Sequence, residues 1–173
     1  SAVADADIKN YDTQDNKNPF YRLKTEMGAS PSELVFDGGI MSVGDYAFYD
    51  LDGVKAINIP SKVTEIGDSA FENCLSVTEI TLPDGLLTIG SKAFFNISFS
   101  DPNAPNSLFF VDIPESVTTV GAEAFGNCNK LYYVAYPDGL SVDTAGIPAE
   151  VFKLKYRTLA SDSTKVEVTE IIP

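Results

Sequence analysis

The chain has 173 residues, 44% of them hydrophobic and 21% charged, which suffices to bury one core without metals or disulfides and excludes wholesale disorder. Twenty-five acids against twelve bases give a net charge of -13, and such a surface repels phosphate backbones, so nucleic acid is not an expected partner. Histidine is absent, which removes Ser-His-Asp and Cys-His catalysis and every histidine-containing zinc site. No apolar run approaches the roughly 18 residues of a membrane span; Leu108 to Val111, for instance, has four.

Residues 1–33 come first, carry no repeat and hold Asp5, Asp7, Asp12 and Asp15, so they read as a polar N-terminal cap. Asp12, Gln14 and Asn16 have the spacing of a calcium loop. Lys17 replaces the glycine such a loop needs and Leu23 the bidentate glutamate, so no metal site is expected. The chain begins at Ser1 with neither a basic segment nor an apolar one behind it, which reads as a mature or trimmed chain, any signal peptide removed.

From residue 34 onward one pattern recurs. Valine or isoleucine, glycine, two variable residues and Ala-Phe occur at Val43–Phe48, Ile66–Phe71, Ile89–Phe94 and Val120–Phe125, with glycines 23, 23 and 31 apart. Ile59-Pro60, Leu82-Pro83, Ile113-Pro114 and Tyr136-Pro137 follow steps of 23, 31 and 23. The third unit therefore carries eight extra residues, within 98–107, where Asp101, Pro102, Asn103, Pro105 and Asn106 predict a surface loop. Within a unit, Val77-Thr78-Glu79-Ile80-Thr81-Leu82 spells apolar, two variable, apolar, variable, apolar, a short strand. Proline then ends the ladder. Val63 and Ile66 mark a second extended segment, Gly67 is expected to permit a tight bend, and Ala70 and Phe71 to plug a short helical turn. One such coil cannot bury its inward face alone, so stacking must bury a column of Ile, Val, Leu and Phe.

Ile59-Pro60-Ser61-Lys62-Val63-Thr64-Glu65-Ile66-Gly67-Asp68-Ser69-Ala70-Phe71-Glu72-Asn73-Cys74 resembles the unit of the BspA-like, or Treponema pallidum type, leucine-rich repeat family almost residue for residue. The resemblance covers residues 34–137 and implies a leucine-rich repeat solenoid of four to five coils, with parallel strands on one face and extended segments and short helical turns on the other. It also implies a bacterial protein, secreted or on the cell surface, and an adhesin-like recognition module with no enzyme activity and no cofactor.

Counting 23 back places Leu34, Phe36, Ile40 and Val43 in a truncated first coil, with Asp37 where proline would stand. Counting 23 forward keeps Leu140 in register but puts Asp143-Thr144 for Ile-Gly and Ile147-Pro148 for Ala-Phe, so residues 138–173 read as a decaying repeat. Phe152, Leu154 and Tyr156 then alternate with Lys153, Lys155 and Arg157, and Val166 and Val168 alternate again after a turn. This predicts a hairpin covering the open end. Cys74 and Cys128 share one repeat position, two coils apart. Strands about 4.8 Å apart put them near 10 Å, beyond disulfide reach, so both are expected to be buried free thiols.

Residues three and five of each strand face outward. Stacked, they form one column of Glu33, Ala56, Glu79, Phe110 and Tyr133 and another of Val35, Asn58, Thr81, Asp112 and Ala135. Phe109 and Tyr132, just outside the strand, join Phe110 and Tyr133 in an aromatic cluster beside the insertion. Two readings stand open: the loop folds back so that Phe99 packs on the rings, or the rings anchor a ligand that Asp112 and Glu79 orient. Glu79 and Asp112 are the best carboxylate pair on this face, at roughly 7–8 Å, yet a shallow face neither excludes water nor raises an acid's pKa. The expected partner is a protein, host or extracellular-matrix proteins among them, or else a glycan or none, as in a spacer. Residues 38–137 hold four bases and twelve acids, so the repeat region is the acidic part.

Overall fold

A computed structural model describes residues 28, 31–36, 39–97, 109–142, 144–149, 151–159 and 162–172. Most of the expected N-terminal cap, Asp37, the 98–107 loop with Phe99, and Asp143 lie outside them. The strands are β1 (Ser42–Val43), β2 (Ala56–Asn58), β3 (Glu65–Ile66), β4 (Glu79–Thr81), β5 (Thr88–Ile89), β6 (Phe109–Asp112), β7 (Thr119–Val120), β8 (Leu131–Pro137), β9 (Phe152–Leu159) and β10 (Asp162–Ile172).

Successive coils wind in one sense, so equivalent segments meet in parallel. On one wall β1, β3, β5 and β7 form a four-stranded parallel sheet in which Val43, Ile66, Ile89 and Val120 lie side by side. The partners stand 23, 23 and 31 residues apart, so the insertion leaves the register intact. On the other wall β2 pairs with β4, and β6 with β8, again in parallel. β4 and β6 are neighbours but belong to separate sheets. Pro60, Pro83 and Pro114 lie just past β2, β4 and β6 and send the chain out of the ladder, whereas Pro137, against expectation, is the last residue of β8 and pairs with Tyr156; the residues between the walls close the core.

Phe48, Phe71, Phe94 and Phe125 form one interior file, their rings stacked at 5.2, 5.4 and 5.6 Å with interplanar angles of 13°, 2° and 8°. Phe36 ends the file edge-on, 5.5 Å from Phe48 at 85°. Ile40 and Val43 are buried, and Leu34 and Phe36 pack against the core from its rim. Cys74 and Cys128 are free and buried. Each thiol donates to a phenylalanine carbonyl of an earlier coil, Cys74 Sγ to Phe48 O at 3.3 Å and Cys128 Sγ to Phe94 O at 3.2 Å. Burial pushes the Cys128 thiol up to about 12, which leaves it unreactive.

The segment carrying Ala-Phe differs from expectation. No helix occurs among the described residues; the segment is a pair of tight turns, as in Ala47 N to Gly44 O at 3.3 Å and Tyr49 N to Tyr46 O at 3.2 Å. Alternate amides reach the next coil instead: Tyr46, Phe48 and Asp50 donate to Asp68, Ala70 and Glu72 at 2.8–2.9 Å. A helix would turn those amides inward on itself; the turns free them for a third ladder. Two residues per coil adopt positive φ to achieve this: Tyr46, Ser69, Lys92 and Glu123 in one series, Asp50, Asn73, Asn96 and Asn127 in the other. Asn and Asp tolerate that region better than most residues. The asparagines also form a ladder, Asn127 Nδ2 donating to Asn96 Oδ1 and Asn96 Nδ2 to Asn73 Oδ1, each at 2.7 Å.

Gly67 is needed for a reason other than its bend. Its φ is not positive, but a Cβ there would stand 2.6 Å from Asp45 N. At Gly90 and Gly121 the same atom would stand 2.5 and 2.6 Å from the carbonyl carbon of the glycine one coil earlier. Only glycine lets neighbouring backbones approach so closely.

The last coil shortens step by step. Glu123 N donates to Thr144 O and Phe125 N to Ala145 O, so Ala145, rather than Ile147, takes the alanine place above Ala124. β9 then pairs in parallel with β8, Tyr133 opposite Phe152, a step of 19 residues. β10 runs antiparallel to β9 and is the outer strand of that sheet. The hairpin thus occupies the next strand position, edge to edge with β8. Phe152 and Leu154 fall in rank with the outward Tyr133 and Ala135, and Lys153 and Lys155 with the inward Val134 and Tyr136.

Candidate binding face

The strand wall is stiff because each strand alternates a buried anchor with exposed neighbours. Ile57, Val111 and Val134 are fully buried and Ile80 nearly so; the residues on either side of each project outward. Backbone pairing places Ala56 beside Glu79, Asn58 beside Thr81, Phe110 beside Tyr133 and Asp112 beside Ala135, which is the arrangement of the two expected columns. By backbone register β9 adds a further rank, Phe152 beside Tyr133 and Leu154 beside Ala135, an extension that counting by 23 misses because the last coil is short.

The aromatic cluster differs in one respect from its expected form. Phe109 and Tyr132 lie within β6 and β8, not outside them. Phe109 pairs with Leu131 but Phe110 with Tyr133, so Tyr132 is the extra residue of a β-bulge. The bulge makes Tyr132 and Tyr133 both project between the inward Leu131 and Val134. Phe110 lies between them: its ring is 4.9 Å from Tyr133 at 30° and 5.9 Å from Tyr132 at 86°. Phe110 is 47% and Tyr132 46% exposed. Partial burial, followed by the Asp112 carboxylate, which accepts the phenol's hydrogen bond, raises the pKa of Tyr133.

Of the six candidate residues, Phe110, Asp112, Tyr132 and Tyr133 come together. Phe109 belongs to β6 by backbone register, and Glu79 is exposed on β4, across the interruption between the two sheets. Farther along the strand exits, Tyr156 Oη donates to Ile113 O at 2.6 Å, tying β9 to the residue just after β6, across β8. Burial first, then the carboxylates of Glu115, Asp112 and Asp84, push this phenol up to about 12.

Two clefts open where the last coil shortens, and sequence spacing gave no hint of them. One, about 520 Å³, is lined by Tyr136, Leu140, Val142, Ile147, Lys153 and Lys155. The other, about 380 Å³, lies between Glu115, Val117, Leu140 and Tyr156. Neither includes a residue of the aromatic cluster. Among the described residues no group of three or more metal-ligating side chains converges, and no helix is long and apolar enough to cross a membrane.

With one residue set repeated on the turns and another varied on the strands, the geometry matches what comparison with known proteins finds. The model of the BspA-type leucine-rich repeat region matches in six copies, over residues 41–110 and 106–167. The chain belongs to the BspA-type leucine-rich repeat family. A leucine-rich repeat protein from Bacteroides ovatus is similar in structure, with 31% identity and a TM-score of 0.56 over 67% of this chain. A leucine-rich cell surface protein from Faecalibacterium prausnitzii shares the fold at 20% identity, with a TM-score of 0.59 over 76% of this chain. The chain spans 29% and 34% of the length of those two proteins. The T. pallidum leucine-rich repeat protein aligns over 71% of this chain at 27% identity, with a TM-score of 0.44. No curated protein matches. As a BspA-type chain, the molecule is a repeat solenoid in which stacked turns supply the scaffold and the strand wall an extended surface.

Proposed function

We propose that this chain is a non-enzymatic, adhesin-like module of a secreted or cell-surface bacterial protein and that it binds a protein partner on the strand wall. The observation that carries the reading is the group of three contacting rings, Phe110, Tyr132 and Tyr133, with two of them about half exposed on a rigid sheet. Rings held this way lose little freedom on binding, and aromatic side chains dominate interface energetics. Asp112 beside them, with Phe109 and Glu79 at the margins, supplies orientation. Family membership and the cell-surface character of the Faecalibacterium protein support the surface placement.

Screening the purified chain against extracellular-matrix proteins tests the reading. A bound partner is expected to be lost on Phe110→Ala or Tyr132→Ala while thermal unfolding stays put. Binding that survives both variants would move the site elsewhere. A glycan is the second reading, favoured by the half-exposed ring of Tyr132, and a glycan panel run with the same variants separates the two; weak, salt-insensitive binding would mark the sugar.

A further inference from the structure

The partner's chemistry can be narrowed from the cluster itself. Resting on the strand-wall reading, we propose that the cluster receives an arginine side chain from a basic segment of the partner, the guanidinium stacked on the exposed ring of Phe110 or Tyr132 and forked onto Asp112. Three observations converge. The first is charge: the two outward columns hold Glu33, Glu79 and Asp112 and no lysine or arginine, on a repeat region of twelve acids and four bases. An incoming basic segment is drawn to such a surface, while an acidic one is repelled.

The second is the shape of the ring group. Phe110 and Tyr132 stand at 86° and form a corner, while Phe110 and Tyr133 lie at 30° with centroids 4.9 Å apart. A cation is attracted within about 6 Å of a ring centroid. To enclose a round cation such as a quaternary ammonium, rings must stand on opposite sides of it, and rings in mutual contact leave no such gap. A planar guanidinium needs only one open face. The third is Asp112, exposed next to the rings and near enough to Tyr133 to add to the effect of partial burial in raising its phenol's pKa. An exposed carboxylate beside an exposed ring offers its lone pairs to a planar donor fork, which lysine's point charge cannot match.

The test uses fluorescein-labelled glycine-serine peptides carrying spaced arginines, spaced lysines or no charge, with fluorescence anisotropy as the readout. The arginine peptide is expected to bind, the lysine peptide several-fold more weakly and the neutral one not at all. Phe110→Ala and Asp112→Asn should each weaken the arginine peptide by about 5- to 30-fold, and raising salt from about 0.05 to about 0.5 M should weaken it further. Phe110→Leu keeps apolar bulk without the ring, and its loss of binding, with circular dichroism unchanged, excludes misfolding as the cause. Equal binding of lysine and arginine peptides, or arginine binding that Phe110→Leu and Asp112→Asn leave intact, overturns the proposal. If an extracellular-matrix protein binds in a Phe110-dependent way while the arginine peptide does not, the arginine assignment fails and the strand-wall reading stands. If no protein binds in that way, the strand-wall reading itself fails.

Discussion

Phe71 lies over Phe48 and Asn96 over Asn73 on the turn side of the coil, whereas the strand side sets Ala56, Glu79, Phe110 and Tyr133 at one position. Both sides share one backbone register, so the difference comes from what each side chain meets. A side chain that faces inward meets its own equivalent from the next coil, at a spacing the backbone fixes, and a repeated shape fills that space best. One that faces solvent meets no such demand. Sameness therefore marks the load of the fold and variation marks the surface free to take a partner.

The largest way to break this comparison is Phe71→Ala. The ring is fully buried between two others, so its loss should cost about 3–5 kcal/mol. Urea unfolding measures it, and a cost under about 1 kcal/mol would mean that the file does not hold the coils together. Next comes Asn96→Ala, which removes bonds to Asn73 and Asn127 and a residue suited to positive φ. A loss of about 1–3 kcal/mol is expected; a neutral outcome would reduce the ladder to ornament.

Tyr156→Phe tests the tie between hairpin and solenoid, and should cost about 1 kcal/mol at neutral pH through the lost bond to Ile113 O. The folded phenol stands at about 12 against an ordinary 10.0, so the unfolded chain loses its proton first. The hydroxyl's contribution is therefore whole below pH 10 and fades as pH rises toward 12. The gap between wild type and variant should close over that window, and a gap constant with pH would contradict the assignment. The smallest effect is Ser69→Gly, which relieves a positive φ of 53° and should raise stability by about 0.5–1 kcal/mol. Ser69→Val should lower it; equal effects would deny that the turn is strained.

Much of this was legible in the residues because periodicity reports on stacking. The 23-residue step puts the phenylalanines in file, and strand alternation puts Phe110 and Tyr133 on the outer wall. The turns were not legible: whether Ala-Phe closes a helix or paired turns depends on amides finding carbonyls one coil away, and Asn73, Asn96 and Asn127 recur just beyond the Ala-Phe pattern. Nor was the reason for Gly67, which lies in a neighbouring backbone. The bulge at Tyr132 and the 19-residue step to Phe152 escaped because each shifts register by a few residues, and register is fixed by pairing partners rather than by local composition.

The claim that the turn side carries stability and the strand wall recognition is tested most directly by urea unfolding of Phe94→Ala and Phe110→Ala side by side. The account predicts a loss of about 3–5 kcal/mol for Phe94→Ala and under about 1 kcal/mol for the half-exposed Phe110. Equal losses would make the aromatic cluster a second core and contradict it.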